Sequence, residues 1–173
     1  MNKTALQIIC FVVLVLLQVL VVNHIRLGGY VHPYIYILFI KLFPINIPCW
    51  QLLLLGCSVG LSVDMFTGTP GLHAGATTLM AFCRPRIIKL ISGTLKFENI
   101  HEPNLNQLDG MWFLRYVLCL VLVHHFALFF MESFSIHLFG QVMLRVLLSV
   151  PVSVFLIMMI LYIFKTDKKG VGR

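Results

Sequence analysis

Apolar residues run through this chain in long blocks that are separated by short polar breaks. A helix needs about 20 apolar residues to cross the roughly 30 Å of hydrocarbon in a bilayer. The blocks predict an all-α, polytopic integral membrane protein that forms a single membrane domain over residues 1–173. Six transmembrane helices are predicted, at residues 5–22, 33–43, 50–66, 71–82, 112–131 and 136–164, with a cytoplasmic loop at 83–111.

Composition supports a lipid environment. Hydrophobic residues make up 60% of the chain, charged residues 11%, and the mean hydropathy is +0.96. About a quarter of the residues are charged in a typical soluble domain, so polar surface is too scarce here to cover one. We expect the first apolar block to be a retained helix, because it lacks the small-residue cleavage site of a signal peptide. The five cysteines lie in apolar runs, which favours packing over a disulfide framework or a zinc site.

The basic residues set the predicted orientation. Lysine and arginine collect on the cytoplasmic side of membrane proteins. With six crossings and both termini in the cytoplasm, all of the 13 basic residues except Arg26 and Arg145 fall on the inner side. The alternative is five crossings with a re-entrant second segment, which would place Lys3 and the basic C-terminus on opposite sides. We therefore favour six.

A pair of glycines marks one face of the third predicted span. Gly56 and Gly60 form a GxxxG motif, and Asp64 follows four residues later on the same face. Small residues at this spacing let helix backbones approach closely in lipid, where packing replaces the hydrophobic drive. This face is therefore predicted to contact a neighbouring helix.

The turn that follows predicts a tight helical hairpin. Gly68 is the expected helix stop and Thr69 the candidate N-cap of the next span. Gly71 and Gly75 form a second GxxxG motif in the fourth span, and we expect it to pack against the first.

Asp64 is the most informative single residue, because a carboxylate within a membrane segment is costly and usually has a partner. It could be a functional contact or an ion site. It could instead be a structural acid that binds the hairpin's own backbone donors. Arg145, in the last span, is the candidate charge partner. Gln18, alone in the first span, is expected to form an interhelical hydrogen bond.

No catalytic, metal or cofactor signature accompanies these residues. The sequence contains no zinc-protease, nucleophile-elbow or phosphate-loop motif. His124 and His125 are adjacent, so their side chains point about 100° apart on a helix and are poorly placed to share one metal ion. We expect a protein that is not an enzyme, with no cofactor, no metal and no nucleic-acid partner.

The hairpin residues resemble the signature of the MreD family of rod shape-determining membrane proteins. The likeness is closest over residues 56–82, which contain Gly-x3-Gly-Leu-x2-Asp, a turn rich in Gly and Thr, and then Gly-Leu with a small-residue helix. The short second span after Pro33, the basic C-terminus and the overall length are also similar to that family. The resemblance marks the hairpin as the helix-packing or partner-contact element, and its residues are Gly56, Gly60, Asp64, Gly68, Gly71 and Gly75.

The resemblance implies a non-catalytic scaffold in the bacterial inner membrane. Members of that family act with an MreC-like bitopic membrane protein and, indirectly, with an actin-like filament and wall-synthesis enzymes. This chain would then take part in cell elongation, cell shape and peptidoglycan synthesis. Membrane lipid is its other expected partner.

A second class of membrane protein fits the same layout. Substrate-binding subunits of energy-coupling-type vitamin transporters are also small, multi-span proteins without a nucleotide site. Such a subunit needs a ligand pocket with clustered polar and aromatic side chains. Candidates to line a pocket are Asp64, His73, His124 and Arg145.

Overall fold

A computed structural model describes residues 3–25, 29–41, 43–92 and 110–166, and the regular elements in this part of the chain are helices. The elements, in order, are α1 (Lys3–Leu20), a 3-10 turn (Val22–His24), α2 (Leu38–Lys41), α3 (Cys49–Thr67), α4 (Leu72–Ser92), α5 (Gly110–Ser133), a second 3-10 turn (Ile136–Leu138) and α6 (Phe139–Thr166). Consecutive helices from α3 to α6 pack against one another, and α1 packs against α3.

Within the described residues, four helical segments are long and apolar enough to cross a membrane: Ala5–His24, Cys49–Thr67, Gly110–Ser133 and Phe139–Ile163. The prediction of a helical membrane protein therefore holds, whereas six crossings are not established. Large apolar side chains such as Leu20 and Leu147 are exposed on the outer faces of these segments, 65% and 71% respectively. A bilayer accounts for such exposure, because lipid tails are as apolar as the side chains.

The second predicted span is not a transmembrane helix. Only Leu38–Lys41 is helical, and the residues before it form no regular helix. Every residue from 34 to 40 is nevertheless buried, so the segment lies inside the bundle instead of facing lipid. An apolar run of this length cannot distinguish a helix from an extended buried segment.

The fourth predicted span is shorter than the helix that the structure shows. Helix α4 continues ten residues beyond the predicted end at 82, to Ser92, through Pro85 and the bases Arg84, Arg86 and Lys89. Residues 83–92 are therefore helix and not the beginning of the predicted cytoplasmic loop. Most of that loop, 93–109, lies outside the described residues.

The third and fourth helices approach at the first GxxxG motif, as predicted. A Cβ atom added to Gly56 would lie 3.1 Å from both the Ala81 Cβ and the Thr77 carbonyl oxygen. At Gly60 an added Cβ would overlap Thr77 Oγ1 and the His73 carbonyl oxygen of α4. Only glycine permits this separation of the two backbones.

The second GxxxG motif does not pack against the first. Gly71 precedes α4, has a φ of +85° and has open space where a Cβ would be. An added Cβ on Gly75 would face Met131 of α5, 3.3 Å from its Sδ and Cε. The α4 residues that meet α3 are His73, Ala74, Thr77 and Ala81, so the face is shifted from the one the motif indicated.

We expect Gly60→Ala to destabilise the protein by about 1–3 kcal/mol, because the added methyl group overpacks a rigid backbone contact. The measurement is reversible unfolding in mixed detergent micelles. Gly140→Ala is the matched control, since an added Cβ there meets nothing within 4 Å. Equal stability of the two variants would show that α3 and α4 are not in this close contact.

Candidate functional site

The turn between α3 and α4 is closed by Gly68, as the sequence predicts. Gly68 caps α3 in the left-handed conformation, with a φ of 68°, and its N–H donates to the Asp64 carbonyl oxygen at 3.0 Å. A residue with a Cβ atom is sterically disfavoured in this conformation, whereas glycine is not. The turn places the start of α4 directly beside the end of α3.

The Asp64 carboxylate binds the hairpin's own donors. Oδ1 accepts from Thr69 Oγ1 at 2.9 Å and from the His73 backbone N–H at 3.0 Å, and Oδ2 accepts from the Ala74 N–H at 2.9 Å. These N–H groups belong to the first turn of α4 and have no partner within that helix. Asp64, which is 3% exposed, therefore caps α4 from the neighbouring helix. The side chain of Thr69 supports Asp64 and is not itself the predicted cap.

Asp64 and Arg145 do not form the candidate ion pair. Arg145 Nη1 lies 3.5 Å from Glu132 Oε2, at the partly exposed junction of α5 and α6. The acceptors on Asp64 are occupied by the hairpin instead. Of the two interpretations of Asp64, the structure supports the structural one.

The segment after His32 is held inside the bundle by polar side chains from two helices. Gln18 of α1 accepts the Ile35 N–H through Oε1 at 2.8 Å and donates Nε2–H to the Pro33 carbonyl oxygen at 3.1 Å. On the other side, Ser149 and Ser153 of α6 accept the His32 and Tyr34 N–H groups, each at 3.0 Å.

This bonding shows that residues 32–35 run as an extended chain. Successive backbone groups turn alternately toward α6 and α1, which is the period of two of a strand. Ser149 and Ser153 are four residues apart on a helix, about 6 Å, and His32 and Tyr34 are two residues apart on an extended chain, about 6.6 Å. The two spacings match, so one helix face can serve alternate N–H groups.

A buried chain of hydrogen bonds lies beside this segment. Tyr36 Oη is 2.9 Å from His73 Nδ1 of α4 and 2.6 Å from His124 Nε2 of α5. The Tyr34 ring packs edge-on against both histidines, with centroids 5.3 and 5.7 Å away. The segment is thereby joined to the hairpin and to α5.

The two adjacent histidines of α5 bind different partners, as expected from their divergent directions. His125 Nδ1 lies 2.9 Å from the Val121 carbonyl oxygen and its Nε2 lies 3.0 Å from Ser153 Oγ. Within the described residues, no group of three or more His, Cys, Asp or Glu side chains converges as a metal site would require.

A cavity of about 580 Å³ lies between the end of α1, the hairpin turn and α5. This volume is within the range of small-molecule pockets. Of the four candidate lining residues, only His73 reaches the cavity. Its wall combines polar and apolar side chains, among them Leu20, Asn23, His32, Tyr34, Phe66, Thr69, Leu72, His73, Leu128 and Glu132.

Arg84 secures the other end of the buried segment. Its guanidinium donates to the carbonyl oxygens of Phe43 and Pro44, at 2.6 and 3.1 Å, and its Nε donates to Tyr116 Oη at 2.7 Å. The residue is 1% exposed. The sequence placed Arg84 in the predicted cytoplasmic loop. In the structure it is buried, and its hydrogen bonds join α4 to α5 and to the chain after α2.

Comparisons with protein-family models, with curated proteins and with solved structures find no match for this chain. The site must therefore be interpreted from its own geometry. Sequence reasoning found Asp64 and the hairpin but missed Tyr34, Tyr36 and Ser153. The available signal was Gln18 in one apolar helix and two serines four residues apart in another, since lone polar residues in lipid usually serve a partner.

We expect Asp64→Ala to destabilise the protein more than Asp64→Asn, by about 1–3 kcal/mol. Alanine leaves every α4 donor without an acceptor, whereas asparagine keeps one acceptor oxygen. The measurement is the free energy of unfolding in mixed micelles. Ser62→Ala, on the exposed side of α3, is the control. Equal losses for the two Asp64 variants would mean that the negative charge, and not the capping geometry, carries the stabilisation.

Proposed function

We propose that this chain is a non-catalytic, MreD-like scaffold subunit of a bacterial cell-elongation complex in the inner membrane. The observation that carries the proposal is the hairpin. The residues on which the resemblance rests include Gly56, Gly60, Asp64 and Gly68, and all four have interlocking roles in one compact element. The signature residues thus serve to build the hairpin, and a structural role of this kind suits a protein that acts by holding partners.

The hairpin also suggests how a partner would be held. Gly56 and Gly60 are buried against α4, so they are not available to a second protein. The opposite side of α3 presents Leu61 and Met65, which are 49% and 79% exposed. Ser58 and Ser62 also lie on exposed parts of α3, and each donates its hydroxyl to a carbonyl oxygen of its own helix. This surface is apolar in effect and could receive the membrane helix of a bitopic, MreC-like partner.

A test of this proposal is co-purification from the native host after mild detergent extraction. We expect a bitopic membrane protein to co-purify with the wild-type chain and to be lost from Leu61→Trp, because the bulky ring blocks the exposed side of α3 without entering the hairpin. Leu147→Trp on the exposed face of α6 is the matched control and should retain the partner. Depletion of the protein should round or widen rod-shaped cells.

The cavity favours a second candidate, the binding subunit of an energy-coupling-type vitamin transporter. Such a subunit would co-purify with ATPase subunits and a stoichiometric vitamin, and excess vitamin would rescue its loss. Finding these, with cell shape unchanged on depletion, would overturn the scaffold proposal and favour the transporter.

A further inference from the structure

The amide groups beside the cavity have fixed orientations. Gln18 must direct its oxygen to the Ile35 N–H, which only donates, and its nitrogen to the Pro33 carbonyl, which only accepts. The same nitrogen lies 2.7 Å from the Asn23 side chain, which must therefore present its oxygen to Gln18. The Asn23 amide nitrogen, with two N–H donors, makes no hydrogen bond to the described residues and is left for the cavity that Asn23 lines.

The buried histidines fix a second donor. Among the described residues, no carboxylate is bonded to the rings of His124 and His73, and a buried charge without a partner is costly, so both imidazoles are neutral. His124 Nδ1 is sealed in the protein without a hydrogen-bond partner. A bare acceptor there is tolerated better than an orphaned N–H, so the proton is on Nε2.

The donor and acceptor of each hydrogen bond in this chain can then be assigned. His124 Nε2–H donates to Tyr36 Oη, and the Tyr36 hydroxyl donates to His73 Nδ1. With Nδ1 acting as an acceptor, neutral His73 carries its hydrogen on Nε2. This atom makes no hydrogen bond within the described residues, and His73 lines the cavity. His73 therefore presents an N–H donor at the cavity wall.

The Tyr34 hydroxyl is a third donor at the same wall. Tyr34 lines the cavity, and its Oη makes no hydrogen bond within the described part of the chain. The nearby hydroxyls of Thr67 and Thr69 lie 2.7 Å from each other, and they also lie within hydrogen-bond distance of the Val63 carbonyl oxygen and the Asp64 carboxylate, respectively. Their two hydrogens are used in these contacts, so the hydroxyls offer the cavity only lone pairs. The cavity wall thus presents three hydrogen-bond donors that the described residues leave unused, from Asn23, His73 and Tyr34. It also presents the acceptor lone pairs of the Thr67 and Thr69 hydroxyls.

We propose that this cavity binds the carbonyl oxygen of an uncharged amphipathic molecule through Asn23, Tyr34 and His73. Glu132, the carboxylate among the described lining residues, lies 3.5 Å from Arg145, so within the described part of the chain the charge at the wall is already matched and no counter-ion is left for a charged ligand. Leu20, Phe66 and Leu128 provide apolar surface for the rest of the molecule. A membrane lipid ester and a soluble carbonyl compound share this chemistry. Either would suit a scaffold or a transporter subunit, so failure here leaves the scaffold proposal standing.

The test uses monoolein, which is uncharged and has one ester carbonyl, and its ether analogue, which lacks only that carbonyl. Binding to the purified full-length protein in detergent is measured by native mass spectrometry. We expect one monoolein per chain and at least about 3-fold weaker binding of the ether, from one lost hydrogen bond. Riboflavin, a soluble carbonyl compound, forms the second arm and identifies a soluble source if it binds in place of monoolein.

Tyr34→Phe removes a donor whose hydroxyl makes no hydrogen bond to the described residues, so the variant should fold. It should weaken binding of the preferred carbonyl ligand about 3–10-fold. Tyr30→Phe, at a half-exposed tyrosine that does not line the cavity, is the control and should bind normally. Equal binding of ester and ether, unchanged binding by Tyr34→Phe, or binding of neither monoolein nor riboflavin would each overturn the proposal.

Discussion

Backbone polar groups inside an apolar bundle must find partners, and the structure depends on how one non-helical segment meets this demand. Helices satisfy their own N–H and C=O groups, but an extended chain at membrane depth does not. The backbone groups of residues 32–35 form hydrogen bonds with side chains of neighbouring helices instead: Gln18 of α1 and Ser149 and Ser153 of α6. Each unmade bond there would cost about 1–3 kcal/mol, so these polar side chains fix the register of the segment between the two helices.

The same solution recurs at two other places where the backbone leaves the helical pattern. Asp64 serves the first N–H groups of α4, and Arg84 serves the carbonyl oxygens of Phe43 and Pro44 at the far end of the buried segment. Tyr36 then connects the segment to α4 and α5 through two histidines. The hairpin, the extended chain and the cavity are therefore one connected polar framework inside an apolar exterior.

The sequence predicted those parts of the fold that depend on length and local chemistry. The first, third, fifth and sixth spans agree with the structure within a few residues, and Gly68 ends α3 as expected, because apolar length and a left-handed glycine are local signals. The second span could not be predicted, since an apolar run of 11 residues suits a buried strand as well as a helix. Burial of Arg84 was equally hidden, because a basic residue after an apolar block normally marks the end of a span.

Tertiary contacts likewise explain the errors at the site. Gly71 and Gly75 have the same spacing as Gly56 and Gly60, yet only Gly56 and Gly60 meet the backbone of another helix. The bonds from Asp64 to the first turn of α4 hold that helix in a rotation that the motif does not indicate. For Asp64 the sequence left two interpretations open, a functional contact or ion site and a structural acid, and its bonds to the hairpin agree with the second.

The most direct test of this account is residue-resolved amide hydrogen exchange of the segment in detergent micelles. The Tyr34 and Ile35 amides should be protected in the wild type to the same degree as the interior of α5. Ser153→Ala should release the Tyr34 amide and Gln18→Leu the Ile35 amide, while Ser58→Ala on the exposed side of α3 should change neither. Rapid exchange of Tyr34 and Ile35 in the wild type, or full protection of both in the variants, would contradict the claim that these side chains hold an extended chain inside the bundle.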